Sequence, residues 1–152
     1  MCYNRVMNKR TVVATVAVLA VIVLSGALLA LMLNYAQTNG RDIERLNDIS
    51  VTRLALERYF FYRHSYPLAL APLALGTSGV RALCDSDIGW QNTPDGCGEV
   101  FISSAPGDPL SAQGWQYYYT GNGETYNLTF QLEKGDSGLA PGQHQAAPAG
   151  IE

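Results

Sequence analysis

The sequence contains little of what an enzyme, a metal site or a nucleic-acid-binding surface needs. Among its 152 residues are three cysteines and two histidines, His64 and His144. It has no Gly-x-Ser-x-Gly motif, so Ser/His/Asp catalysis lacks its usual nucleophile turn. Acidic residues outnumber basic ones, 13 to 10, whereas phosphate-backbone binding requires clustered Lys and Arg. We therefore predict that the chain is not an enzyme, uses no cofactor, and binds neither nucleic acid nor a small-molecule ligand.

Charge is also missing from one long stretch near the amino terminus. Residues 11–33 contain no charged side chain and are almost wholly apolar. As a helix they would be about 35 Å long, enough to cross a hydrocarbon layer of about 30 Å. Arg5, Lys9 and Arg10 precede this stretch, and flanking cations stay on the cytoplasmic side. We predict a cytoplasmic basic leader at 1–10, a single transmembrane helix at 11–33 in the cytoplasmic membrane, and an extracytoplasmic remainder.

A cleaved secretory signal is the competing interpretation of the same stretch. Signal peptides have a shorter apolar core, of about 7–15 residues, followed by a small-residue cleavage site. The apolar run here is longer than that, which favours an uncleaved anchor.

The remainder of the chain is acidic and contains two cysteines. Without the leader, the chain has seven Lys and Arg residues and thirteen Asp and Glu residues, which gives a net charge of −6. In an oxidising compartment the two cysteines, Cys84 and Cys97, favour a disulfide. Cys2, in the leader, is most simply a reduced thiol.

A helix is predicted at residues 41–63, which are free of Gly and Pro and end shortly before Pro67. Its apolar residues recur at helical spacing and predict one buried face. We assign to that face Ile43, Leu46, Ile49, Leu56 and Phe60, with an adjoining strip that includes Leu54 and Phe61. We assign Arg45, Asp48, Thr52 and Arg58 to the remaining surface.

The rest of the head, residues 34–134, divides by composition. Residues 67–99 are broken by Pro and Gly and predict an irregular lobe, which the disulfide would close. Residues 100–133 predict an antiparallel sheet, because Asn122-Gly123 separates two alternating aromatic runs. In the second run Tyr126, Leu128, Phe130 and Leu132 should be buried. Residues 135–152 form a Gly/Ala/Pro-rich tail, expected to be partly extended and loosely held. The predicted fold is α+β, with a long N-terminal helix, first transmembrane and then amphipathic, packed on a small antiparallel sheet.

Two groups of oxygen-bearing side chains are candidate calcium sites. Asp85, Asp87, Asn92 and Asp95 lie in one loop, but their spacing does not match the twelve-residue EF-hand. Asp108 and Asp136 are a second pair, of which Asp108 precedes Pro109 and suits a turn. We favour solvated or turn-forming acids and predict no metal site.

The aromatic run is a second candidate site. Tyr117, Tyr118 and Tyr119 beside Trp115 could form a sugar- or peptide-binding platform. Cross-strand packing explains the same pattern without a ligand, and we favour it. The sequon at Asn127 lies in a predicted strand, where glycosylation is disfavoured.

Several segments together resemble the type IV pilin and type II secretion pseudopilin family. Arg41-Asp42-x-x-Arg45-x-x-Asp48-Ile49, Ala55-Leu56-Glu57-x-Tyr59 and Tyr66-Pro67 are similar to one family run. Pro106-Gly107-Asp108-Pro109 and the strand ending at Glu133 resemble the family's paired strands. The Cys84–Cys97 loop also resembles the disulfide-closed loop of pilin heads.

The resemblance implies a structural subunit of a pilus or secretion pseudopilus, whose partners are other pilin-like subunits, the assembly machinery and membrane lipid. The chain departs from the family in lacking both the Gly/Ala-Phe/Met cleavage site and the glutamate that usually follows it. No acid occurs before Asp42. The alternative is a stand-alone membrane-anchored extracytoplasmic binding module that uses its Tyr-rich sheet.

Overall fold

The computed structural model describes residues 9–86 and 88–152, apart from the side chain of Thr11. The predicted leader therefore lies mostly outside the described residues, as do Cys2 and Asp87. The first element is one helix, α1, at Lys9–Arg63. It ends at Arg63, and the next residue, His64, has a left-handed φ of 57°. Pro67 follows shortly after, and its ring disfavours helical backbone at the preceding residue.

The chain divides into two compact units, with the boundary between Gln37 and Thr38. The first unit contains the apolar part of α1. Its most apolar stretch has a mean hydropathy of 2.9, and none of that stretch is buried within the chain. This helix is long and apolar enough to cross a membrane. Within the apolar stretch, Thr15 and Ser25 donate side-chain hydrogen bonds to the carbonyls of Val12 and Ile22, about one turn earlier.

The second unit combines the end of α1 with two antiparallel sheets, so the fold is α+β as predicted. The larger sheet has five strands, in the order β1-β5-β6-β7-β8, and the smaller one has the order β3-β2-β4. The strands are β1 Ala69–Ala74, β2 Ala82–Cys84, β3 Trp90–Gln91, β4 Val100–Ile102, β5 Tyr118–Gly121, β6 Tyr126–Leu132, β7 Gly142–Ala147 and β8 Gly150–Ile151.

The predicted hairpin and disulfide are both present. β5 pairs with β6 from Tyr118 opposite Thr129 to Gly121 opposite Tyr126. Asn122 closes the turn, because its side-chain oxygen accepts hydrogen bonds from the backbone N–H groups of Glu124 and Thr125. Cys84 and Cys97 form a disulfide.

Two expectations about irregular structure are corrected. The lobe at 67–99 contains β1, β2 and β3, and Pro72 is accommodated in β1 where the register shifts against β5. The tail at 135–152 contains β7 and β8, and β7 pairs with β6 from Leu132 opposite Gly142 to Leu128 opposite Ala146. Pairing with a neighbouring strand determines these segments, whereas their own composition indicates loops.

The buried face of α1 differs from the predicted one. Ile49 and Leu56 are fully buried, in one cluster with Leu128 and Phe130 of β6, and Leu46 packs against it. All four predicted residues of β6 are buried. The remaining predicted face residues are exposed: Ile43 (51%), Leu54 (64%), Phe60 (37%) and Phe61 (85%). Asp42, Arg45 and Thr52 are buried instead. The reason is that Asp42 and Arg45 form hydrogen bonds with residues in the loop before β5 and at the end of β6.

Removal of the disulfide should destabilise the second unit. The bond closes a loop with a sequence separation of 13, and losing that constraint should lower the free energy of unfolding by about 3 kcal/mol. We expect this loss in the Cys84→Ala/Cys97→Ala variant of the full chain in detergent, measured by denaturant unfolding with tryptophan fluorescence. Cys2→Ala is the control and should match the wild type. Equal stability of the double variant and this control would contradict the prediction.

Candidate functional site

A charge cluster forms where α1 meets the loop before β5 and the end of β6. Its members are Arg41, Asp42, Arg45, Asp108 and Glu133. Arg45 is the centre, and its side chain is fully buried. Its guanidinium donates Nε and Nη2 to the two carboxylate oxygens of Asp108, at 2.8 and 3.1 Å. Its Nη1 donates to Asp42 at 2.8 Å and to Glu133 at 2.7 Å.

Asp42 links α1 to the backbone that follows β6. One carboxylate oxygen accepts from the N–H of Glu133 at 2.9 Å. The other accepts from Lys134 at 2.8 Å and Gly135 at 3.1 Å. Gly135 has a φ of +87°, and a Cβ there would collide with the Leu139 carbonyl. The glycine therefore allows three successive N–H groups to converge on one carboxylate.

Glu133 is shared between the two arginines of the cluster. Its carboxylate accepts a bidentate pair of hydrogen bonds from Arg41, with both N–O distances at 2.6 Å.

Asp108 is also bound by the backbone of its own loop, because its Oδ1 accepts a hydrogen bond from the N–H of Leu110 at 2.7 Å. The ring of Trp115 covers Arg45, with Cζ 4.6 Å from the ring centroid. The buried guanidinium is thus enclosed by three carboxylates and an aromatic face.

The electrostatics follow from these contacts. Hydrogen bonds from Arg41, followed by those from Arg45, outweigh burial and hold the pKa of Glu133 at about 2. Burial would raise the pKa of Asp42, but the N–H groups of residues 133–135 and Arg45 lower it overall. Burial would lower the pKa of Arg45, yet its three carboxylates raise it. Asp42, Arg45 and Glu133 therefore stay charged at neutral pH, and the contacts of the cluster attach the helix to the loop and to the end of β6.

Tyrosine–carboxylate hydrogen bonds join α1 to the sheets further along the helix. Tyr117 donates to Asp48 at 3.1 Å. Tyr66 and Tyr126 both donate to Glu57, at 3.0 and 3.2 Å. Burial raises the pKa of Asp48, and burial, with the nearby Glu57 charge, raises the pKa of Tyr126 to about 12. These phenols therefore remain neutral donors.

The first candidate calcium group is dispersed among other contacts. Asp85 pairs with Arg63 at 3.0 Å, and Asn92 accepts from the N–H of Gly79. Asp95 is exposed, and Asp87 lies outside the described residues.

The second candidate pair is used differently: Asp108 belongs to the charge cluster, and Asp136 accepts from the N–H of Ser137. Within residues 9–86 and 88–152, no three His, Cys, Asp or Glu side chains are grouped as metal ligands.

The aromatic run is divided between two environments. Tyr117 and Tyr119 are fully buried, and Tyr119 donates to the carbonyl of Pro67 at 2.7 Å. Tyr118, between them, is 40% exposed. Trp115 lies over Arg45 and so belongs to the charge cluster. The run is therefore not one continuous platform.

The histidines do not combine with a nucleophile among the described contacts. The two ring nitrogens of His144 contact the carbonyls of Glu152 and Ala140, at 3.1 and 2.7 Å. His64 is exposed after the end of α1.

The structure brings together motifs that are far apart in the sequence. The Arg-Asp-x-x-Arg segment, the Pro-Gly-Asp-Pro loop and the glutamate ending the strand all meet in the charge cluster. Sequence reasoning missed this convergence and placed Arg45 on the outer surface. The available signal is that Arg45, Asp108 and Glu133 each adjoin an apolar or turn residue: Leu46, Pro109 and Leu132 respectively.

Replacement of Arg45 should be among the most destabilising single changes in the second unit. Arg45→Met leaves Asp108 and Asp42 buried without their cation, which costs about 3–5 kcal/mol. Arg45→Lys should recover only part of this, because an ammonium cannot make the bidentate contact. Arg58→Met is the control: its ion pair with Glu99 is exposed, at 3.5 Å, and should be worth less than about 1 kcal/mol. Denaturant unfolding of the full chain tests this, and equal stability of the two Met variants would contradict it.

Acid should weaken the second unit through Glu133. A carboxylate whose folded pKa lies below its ordinary value of 4.5 stabilises the fold above that pH and loses the effect as the pH falls towards 2. Glu133→Gln removes this contribution, so its stability should decline less between pH 4.5 and 2.5 than that of the wild type. Glu124→Gln, at the exposed hairpin turn, should behave like the wild type. Thermal unfolding across this range checks the prediction, and parallel curves for wild type and Glu133→Gln would refute it.

Comparison with family models, curated proteins and solved structures gives no match to this chain.

Proposed function

We propose that the chain is a pilin-like structural subunit, anchored in the cytoplasmic membrane by its N-terminal helix, that assembles laterally with other such subunits. The observation that carries the proposal is an apolar stripe on the far side of α1 from its buried residues. We call Ile43, Leu54 and Phe61 the outer stripe. The family resemblance of the segments that form the charge cluster adds support.

The outer stripe follows from helical geometry. Successive residues turn by about 100°, so Ile43, Leu54 and Phe61 lie within about 20° of one another around the axis. Arg45 and Leu56, both buried, lie on the opposite side. The three stripe residues are more than half exposed. Burying each side chain against a partner would contribute about 1.5–3 kcal/mol.

The proposed subunit is divided between two environments. Residues 11–33 would lie in lipid, with Lys9 and Arg10 on the cytoplasmic side. The acidic second unit would lie outside, where the Cys84–Cys97 disulfide is stable. In this arrangement residues 41–63 cover one side of the five-stranded sheet. The charge cluster and the Tyr–carboxylate contacts support that packing.

The chain's work would be structural. The carboxylates of the charge cluster are engaged by guanidinium and backbone N–H groups, so their charge holds the fold together and is not displayed to a substrate. We accordingly propose no enzymatic activity and no cofactor. Its partners would be pilin-like subunits, the assembly machinery and membrane lipid.

Site-specific photo-crosslinking in membranes tests the assembly. A crosslinking amino acid at position 54 or 61 should give adducts with a second, differently tagged copy, or with a protein carrying an N-terminal apolar helix, identified by mass spectrometry. Phe61→Asp should reduce crosslinking from position 54 at least fivefold, because a charge on the stripe opposes apolar contact. The matched control is position 70, since Leu70 is apolar and 89% exposed but lies on β1.

Recovery of monomers alone would contradict the proposal. Equal adducts from positions 54 and 70 would also contradict it, because the contact would then not be specific to the outer stripe.

A further inference from the structure

The hairpin formed by β7 and β8 has little apolar packing to hold it in place. Among residues 142–152, all of which the structure describes, only Ala146 is fully buried, and Ile151 packs partly against the core. A segment that buries so little apolar surface opens locally at a low free-energy cost. Polar contacts therefore decide how tightly this hairpin is held.

The imidazole of His144, on β7, connects three separate parts of the chain. Its Nδ1 lies 3.1 Å from the main-chain oxygen of Glu152, after β8, and its Nε2 lies 2.7 Å from that of Ala140, before β7. On β6, Phe130 is opposite His144 in the register, and the two ring centroids are 5.7 Å apart. The ring can therefore hold the residue before the hairpin and the residue after it against the same strand.

Both ring nitrogens of His144 face hydrogen-bond acceptors, and this distinguishes the two charge states of the ring. A neutral imidazole has one N–H group and one lone pair, so in either tautomer one nitrogen lone pair faces an oxygen lone pair. The imidazolium has two N–H groups and donates to both oxygens, in charge-assisted hydrogen bonds. Uptake of one proton from solvent therefore converts a repulsive contact into a second hydrogen bond.

The charged groups on the surrounding elements do not oppose a cation at this position. The elements that contact the ring are β6, β8 and the residues that connect β6 to β7. Their titratable side chains are Tyr126, Glu133, Lys134, Asp136 and Glu152. Tyr126 is a neutral donor, and Glu133 is paired with two arginines. The carboxylates of Asp136 and Glu152 outnumber the ammonium of Lys134, so the remaining charge favours an imidazolium.

We infer that His144 is a pH-sensitive clasp, which closes the β7–β8 hairpin when its imidazole is protonated and loosens it when the ring is neutral. The added proton makes a hydrogen bond that only the closed hairpin can form. Lowering the pH therefore stabilises the closed hairpin, and raising the pH removes that contribution. Histidine side chains change charge between pH 5 and 8, whereas the effect of Glu133 lies below its ordinary pKa of 4.5. The inference is independent of assembly, because it concerns the hairpin within one chain.

Amide hydrogen exchange, followed by NMR on the full chain in lipid nanodiscs, measures closure of the hairpin. The N–H groups of Gln145 and Glu152 report it directly, since each donates to the main-chain oxygen of the other residue. After correction for intrinsic exchange, both should be protected at least about fivefold more at pH 5.5 than at pH 7.5. His144→Gln keeps a neutral hydrogen-bonding side chain that cannot be protonated, so its protection should not change with pH. In the wild type, two ring N–H signals of His144 should be present at pH 5.5.

His64→Asn is the matched control. His64 is the other histidine of the chain, it is exposed, and asparagine tolerates its left-handed φ of 57°. This variant should keep the wild-type pH dependence, and the amides of β5, which does not pair with the hairpin, should change less than about twofold.

Equal protection of Gln145 and Glu152 at the two pH values in the wild type would overturn the inference. An equal pH dependence in His144→Gln, or its loss in His64→Asn, would overturn it as well, because the proton would then act elsewhere. The same change in the amides of β5 would show a response of the whole unit and would also overturn the clasp.

Discussion

The burial of one guanidinium constrains the second unit. A cation removed from water is tolerated only when its donors are satisfied by carboxylates, and Arg45 obtains them from Asp42, Asp108 and Glu133. Two of these residues are 63 and 88 positions away in the chain. A shift of the helix along its axis would separate Arg45 from Asp108. It would also separate Asp42 from the N–H groups of residues 133–135. The cluster therefore fixes the position and rotation of the helix more specifically than apolar contacts alone.

That fixed rotation explains why α1 exposes apolar residues. Asp42 and Arg45 take positions at the start of the buried face, and Ile49 and Leu56 continue it one and three turns later. Ile43, Leu54 and Phe61 are then carried to the opposite side by helical geometry. Among residues 9–86 and 88–152, a helix with apolar residues on two sides has a partner on only one of them. The proposed assembly gives the second side its partner.

The sequence predicts local features well and the charge cluster poorly. The alternation of Tyr126, Leu128, Phe130 and Leu132, the Asn122-Gly123 turn and the Cys84–Cys97 pair each depend on neighbouring residues or on a simple count, and the structure has all three. The buried side of α1 depends on partners such as Asp108, which periodicity cannot reveal. An amphipathic pattern with two apolar sides permits either rotation, and only the distant carboxylates select one. The sequence pattern does not predict strand β7 for a related reason. Its backbone forms a strand because it pairs with β6, whereas its own composition indicates a loop.

The outer stripe is apolar and suits a helix of another subunit. In the proposed arrangement α1 covers the inner side of the five-stranded sheet, so the stripe lies on the side of α1 that faces away from the sheet. Lateral contact through the stripe would then require no separation of α1 from the sheet, and the charge cluster would stay intact. An assembled subunit could therefore keep the packing that the buried guanidinium fixes, while burial of Ile43, Leu54 and Phe61 contributes the free energy of contact.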